Sequence, residues 1–198
     1  NEIHDAHPTR LHLGQIELDT QYVLIVNSNA GLWGYNIGDT IKFISKDPYR
    51  IVVTGRVKHY ISAFGEHVIG EEVEYAMKIA TERTNASVVE FTVAPFIQQG
   101  DGKSFHEWFV EFEKEPNDWN AFVQVLNSTL SEKNVYYKDL IEGNILDTLH
   151  VRNLQKNAFI DYMRSIGKLG GQNKVPRLSN DRQLADCLLY TSPSPRDL

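Results

Sequence analysis

Gly55-Arg-Val-Lys-His-Tyr-Ile-Ser-Ala-Phe-Gly-Glu-His-Val-Ile-Gly-Glu-Glu-Val-Glu74 is the stretch on which the fold turns. It follows an apolar run, Arg50-Ile-Val-Val-Thr54, that reads as a strand, and Gly55 is expected to end it. Arg56 and Lys58 place two cations just beyond. Gly65 and Gly70 then punctuate a short apolar passage. From Glu71 onward the apolar residues Val73, Ala76, Met77 and Ala80 recur at three and four, the helical period. Glu71, Glu72 and Glu74 crowd the first turn, where negative charge suits the helix dipole. The stretch therefore reads strand, basic turn, glycine loop, helix start. A glycine-rich turn beside cations suits a phosphate or a moving joint.

Upstream, Ile16 to Val26 alternates and then becomes continuously apolar, which predicts one or two strands. Asn27 to Gly31 is turn chemistry. Leu32 to Ile37 predicts a strand ended by Gly38-Asp39, and Thr40 to Ile44 the next. Lys46-Asp-Pro48 reads as a turn before Tyr49–Thr54. Downstream, strands and helices mix. A helix over 70–84 precedes a strand over 86–96. A second strand, Phe105–Glu113, puts Phe105, Glu107, Phe109, Glu111 and Glu113 on one face and His106, Trp108, Val110 and Phe112 on the other. Asn117 is placed to cap a helix over 118–133 whose stripe is Trp119, Phe122, Val123, Leu126 and Leu130. A shorter helix over 136–142, a strand over 145–154 and a helix over 157–166 follow. Gly167 to Arg177 is an irregular loop, and Asp181 to about Asp186 a last helical turn. The aromatics Trp108, Phe112, Trp119 and Phe122 read as core.

The 198 residues allow one or two domains with a substantial core. The net charge of −6 argues against a general nucleic-acid binder, which needs a basic stripe. No apolar run is long enough for a bilayer, and the polar opening Asn1-Glu-Ile-His-Asp5 has no signal-peptide character. The single cysteine, Cys187, excludes an internal disulfide, and a cytoplasmic home is the default. The missing initiator methionine points to a start within a longer protein. The tail 187–198 changes character abruptly and reads like a translated sequencing adapter, the alternative being a Ser/Pro-rich disordered end. No nucleophile elbow or Walker-type phosphate loop is present, and the seven histidines show no metal-ligand spacing.

The glycine–arginine–x–lysine run ending in Gly70-Glu-Glu-Val-Glu74 resembles the hinge motif of the adenylate-forming enzymes, the acyl- and aryl-activating ligases. Leu32-Trp-Gly-Tyr-Asn-Ile-Gly-Asp-Thr40 resembles their ribose-binding motif, and the wording around it, Asn29-Ala-Gly-Leu-Trp-Gly-Tyr-Asn-Ile-Gly-Asp39, narrows the choice. Together with Gly171-Gln-Asn-Lys-Val-Pro-Arg177 it is similar to the Gretchen Hagen three (auxin-responsive promoter) group, acyl-acid amido synthetases with bacterial relatives. The motifs stand in that family's order from about the first residue to about Asp186, and the chain is identified as the C-terminal part of a bacterial member. The resemblance implies an α+β chain. Antiparallel hairpins over 1–57 would end a large adenylate-forming domain, and a small open α/β-layer domain over 58–186 would be the mobile lid. It implies ATP and Mg2+ as cofactors, bound mainly by an upstream domain, with a carboxylic acid as substrate and an amine such as an amino acid as acceptor.

Each implied site residue has a plainer reading beside it. Asp39 would accept hydrogen bonds from the ribose hydroxyls, since a carboxylate offers two acceptors and no donor; by residue type alone, Gly-Asp is a turn. Arg56 would contact phosphate or ribose, or simply end a strand at the surface. Lys58 would be the pivot between the domains, or a solvated lysine. Lys174 would be the catalytic lysine that meets the α-phosphate as the acyl-adenylate forms, with Lys168 its rival. Arg177 would hold the Lys174 loop to the domain, and His67 could line an acceptor channel. The hinge motif leaves an acyl-CoA ligase open as an alternative. A non-catalytic binding module is a third reading, against which Asp39, Arg56 and Lys174 stand together.

Overall fold

A computed structural model describes residues 8–56, 60–98, 100, 102–170 and 173–191. The chain divides into two units, Asn1–Lys58 and His59–Leu198.

The first unit is an antiparallel three-stranded sheet in the order β1 (Gln21–Val26), β2 (Tyr35–Lys46), β3 (Tyr49–Arg56). A 3-10 turn at Leu13–Gln15 precedes it, and Ile16 packs with Ile41 and Phe43 in a small core that Tyr22 and Leu24 flank. Two expected breaks are absent. β2 runs unbroken through Gly38-Asp39, and β3 continues through Gly55 to Arg56. The reason is bulging. Val23 pairs with Thr40 and Ile25 with Asn36, so Leu24 alone faces Ile37, Gly38 and Asp39. Gly38 takes φ 84, a backbone state that costs glycine nothing, and its N–H donates to Asn36 Oδ1 at 2.8 Å. On the other side Thr40 pairs with Gly55 and Ile41 with Val53, which makes Thr54 the extra residue. The strand predicted to begin at Ile16 begins at Gln21, because Glu17 N–H donates to the Tyr22 hydroxyl and Asp19 adopts a left-handed φ of 58.

The second unit opens with a two-stranded ribbon, β4 (Tyr60–Ile61) against β5 (Val68–Ile69), leading directly into α1 (Gly70–Thr84). β6 (Ser87–Phe96) and β7 (Phe105–Lys114) pair antiparallel, and β8 (His150–Leu154) adds parallel to β7. Between β7 and β8 lie α2 (Trp119–Lys133) and α3 (Val135–Glu142); α4 (Ala158–Ser165) and α5 (Gln183–Thr191) follow. The alternation of β7 shows what each face meets. Trp108 and Val110 join Val73, Ala76, Met77 and Ala80 of α1 and Phe122, Leu126 and Leu130 of α2. Phe109, on the other face, packs with Ala158 and Phe159 of α4 and with Leu184, Ala185 and Leu188 of α5. The sheet is thus covered on both sides.

Local details depart from expectation for physical reasons. Asp118, not Asn117, caps α2, accepting from Ala121 N at 3.0 Å; the Asn117 N–H is engaged by Thr84 O at the end of α1. β8 begins at His150, because Leu146 bridges Ser104 and Asp147 N donates to Ser104 O. α5 continues past Asp186 to Thr191, because Leu188 extends the buried stripe begun by Leu184 and Ala185 and is itself fully buried. Among the described residues no helix is long and apolar enough to cross a membrane.

Candidate functional site

The double bulge gives the first unit its distinguishing feature: it sets Asp39 directly across the ladder from Arg56. Both residues were singled out by sequence, and the register makes them neighbours. One step along, the buried hydroxyls of Thr40 and Thr54 lie 3.1 Å apart, and Gln21 Nε2 donates to Thr54 Oγ1 at 2.9 Å and Thr40 Oγ1 at 3.3 Å. This closed network joins all three strands behind the Asp39–Arg56 pair and holds its register. Asp39 is half-buried. Lys58, the expected pivot, lies outside the described residues.

Lys174 belongs to the second unit and is exposed. Its loop leaves α4, where Lys168 N donates to Met163 O and so closes the helix end. Lys168 is therefore a helix-terminus residue. The loop returns as a strap on β6: Thr92 Oγ1 donates to Pro176 O at 2.7 Å, Val93 N to Arg177 O at 2.9 Å, and Ser179 N to Val93 O at 3.1 Å. Arg177 holds that strap to the domain. Its Nε donates to Glu74 on α1 at 2.8 Å, its Nη1 donates to Glu90 and to Phe91 O on β6, and its guanidinium lies 4.5 Å from the Phe91 ring centroid.

The glycine loop between β4 and β5 is pinned from inside. Glu66 is fully buried and bonds His106 Nε2 at 2.8 Å, while its other oxygen accepts from Phe64 N at 2.8 Å. Burial alone would raise the Glu66 carboxyl; the His106 hydrogen bond and charge, with the backbone donors, outweigh it and hold the group below the usual carboxylate range. Phe64 stacks on the His106 ring, and Tyr137 tilts against the same ring, its phenol pushed up by burial and by the Glu66 charge. His67 takes a left-handed φ of 45 and its carbonyl accepts from Asn134 Nδ2. Ser62 N donates to Asn180 Oδ1 at 2.9 Å, which stitches this loop to the end of the Lys174 strap. Sequence reading missed the Glu66–His106 pair, because the partners stand 40 residues apart with no local signature.

The model of the GH3 family C-terminal domain matches residues 71–183, and that of the GH3 family central domain matches residues 1–56. In fold the chain is similar to a GH3.15 acyl acid amido synthetase, with 18% identity, a TM-score of 0.71 and coverage of 93% of this chain and 36% of that one. It is also similar to AtGH3.15 acyl acid amido synthetase in complex with 2,4-DB, with 18% identity, a TM-score of 0.69 and coverage of 94% and 35%. The chain spans just over a third of the length of the first of these structures. No curated protein sequence matches it.

Proposed function

This chain belongs to the GH3 family, and from that premise we propose that it is the nucleotide-closing part of an ATP-dependent acyl-acid amido synthetase. The complete protein adenylates a carboxylic acid and passes the acyl group to an amine such as an amino acid, working in the cytoplasm. ATP supplies the activating group, with pyrophosphate as the leaving group.

The observation that carries this reading is the ladder pairing of Asp39 with Arg56. A carboxylate suits the two hydroxyls of a ribose, being acceptor only. An arginine directly across the ladder suits the sugar edge or a phosphate. Lys174, solvent-facing on a glycine-flanked loop, supplies the positive charge that offsets charge developing at phosphorus. Lys58 is the joint at which the second unit moves, so that one site serves activation and then transfer. Among the described residues no group of three or more His, Cys, Asp or Glu is placed to hold a metal ion. We assign the Mg2+ that accompanies ATP mainly to the upstream part of the complete protein.

The test is a pyrophosphate-release assay on the complete protein, run with amino acids and separately with coenzyme A as acceptor. Turnover with amino acids supports the amido synthetase, and turnover with coenzyme A alone replaces it with an acyl-CoA ligase. Lys174→Ala should lower adenylation by about 10²-fold or more, the scale for loss of one preorganised charge-stabilising group. Unchanged adenylation in that variant would return the domain to a non-catalytic role.

A further inference from the structure

We propose that Arg177 is a positioning residue that sets the reach of Lys174, by clamping the strap on which that lysine sits to α1 and β6 at once. This rests on the reading of Lys174 given above and goes beyond it by naming what aims the lysine.

The argument is one of tethers. Upstream, the last fixed point is the α4 end, where Lys168 N bonds Met163 O. Downstream, Val175 packs against the cluster of Phe109, Phe159 and Leu188, and the Pro176 carbonyl is held by Thr92 Oγ1. Only Val175 separates Lys174 from that downstream anchor. Since a residue spans at most about 3.5 Å, the lysine Cα stays within roughly 7 Å of the Pro176 Cα whatever the upstream glycines do. The position of the strap therefore decides where the ammonium can go.

Backbone bonds hold the strap along β6, and the Arg177 side chain adds a tie to α1 beside further contacts to β6. Its Nε meets Glu74 of α1, its Nη1 meets Glu90 and Phe91 O of β6, and its plane covers the Phe91 ring. The backbone bonds at Val93 align the strap along β6 and do not themselves reach α1. A lysine at 177 offers one point charge and no planar fork, so it cannot reproduce the two-element grip. The further stitch from Ser62 N to Asn180 Oδ1 ties the same strap to the glycine loop.

The experiment pairs two measurements. In the 198-residue chain, Arg177→Gln should speed amide exchange at Val93 and Ser179 by about tenfold or more while leaving the β7–β8 amides protected. In the complete protein, Arg177→Gln should lower kcat for adenylation by about 10- to 100-fold, the scale of misplacing a reactive group by an ångström. KM for the acid and transfer from preformed acyl-adenylate should stay unchanged, which a misfolded domain would not allow. Arg177→Lys should recover only part of the loss, and Lys174→Ala with Arg177→Gln should be no slower than Lys174→Ala alone. Wild-type adenylation by Arg177→Gln, with Lys174→Ala impaired, overturns the positioning role and leaves the function standing. Wild-type adenylation by Lys174→Ala overturns both.

Discussion

Glu66 and His106 meet at 2.8 Å with neither side chain exposed to solvent. One comes from the glycine loop that follows β4, the other from the middle strand of the sheet, so the bond ties that loop into the centre of the second unit. A buried pair of this kind adds little beyond an apolar substitute, but breaking it strands a charge where water cannot reach. Its role is to hold the loop in one shape, and that role can be measured.

His106→Ala should cost about 3 kcal/mol or more, because Glu66 stays behind without its main partner. Urea unfolding of the 198-residue chain checks this. A loss below about 1 kcal/mol would mean that the loop lifts and solvates the carboxylate, in which case it is not pinned.

The same pair gives the fold an acid limit. Glu66 is held below its ordinary range, chiefly by His106 acting against the burial that would raise it. A carboxyl depressed in the folded state adds stability that is fully present above its unfolded pKa and is lost as pH falls through the folded one. Unfolding midpoints should therefore fall below about pH 4.3, the ordinary glutamate value. Glu66→Gln should be less stable at neutral pH and flatter in acid, so that the two curves approach each other. Parallel curves would assign the acid loss to other groups.

Gly38 lies in the β1–β2 bulge, next to the Asp39 that pairs with Arg56. At φ 84 a side chain is strained, although a Cβ there would meet nothing within 4 Å. Gly38→Ala should thus cost about 1 kcal/mol through backbone strain alone, and Gly38→Val more, since β-branching tightens the restriction. The readout that matters is ATP affinity of the complete protein. If the bulge positions Asp39, affinity should fall with both substitutions; unchanged affinity would separate the bulge from the nucleotide.

How much of this was readable in advance depended on distance along the chain. The α1 stripe was local, and Val73, Ala76, Met77 and Ala80 are all buried. Family motifs singled out Asp39 and Arg56 in the sequence, but not that they pair, because a bulge is a property of three strands together. Gly38 and Gly55 look like strand ends in a one-dimensional reading; only their neighbours make them interior. Arg177 could be read as an anchor, yet its acidic partners lie 103 and 87 residues away, so nothing nearby in the sequence named them. The buried Glu107 was legible only as one member of an alternating face. It is tolerable because Arg152 and Arg182 reach it at 2.7 and 2.8 Å from elements far along the chain.

The end of the chain offers the sharpest test of burial against composition. The residues after Asp186 read as foreign, yet Leu188 is fully buried beside Phe109, Leu154 and Phe159, and α5 continues to Thr191. Leu188→Ala should cost about 2–5 kcal/mol, the range for removing a buried leucine side chain. Shortening the chain to end at Asp186 should cost at least as much, since it removes the same contacts and the last turn of the helix. Removing only residues 192–198 keeps the whole of α5 and serves as the control. Thermal or urea unfolding of the three variants decides the matter: equal stability of the full chain and the chain ending at Asp186 would show that the segment from Cys187 is a passenger and that the α4 face is complete without it.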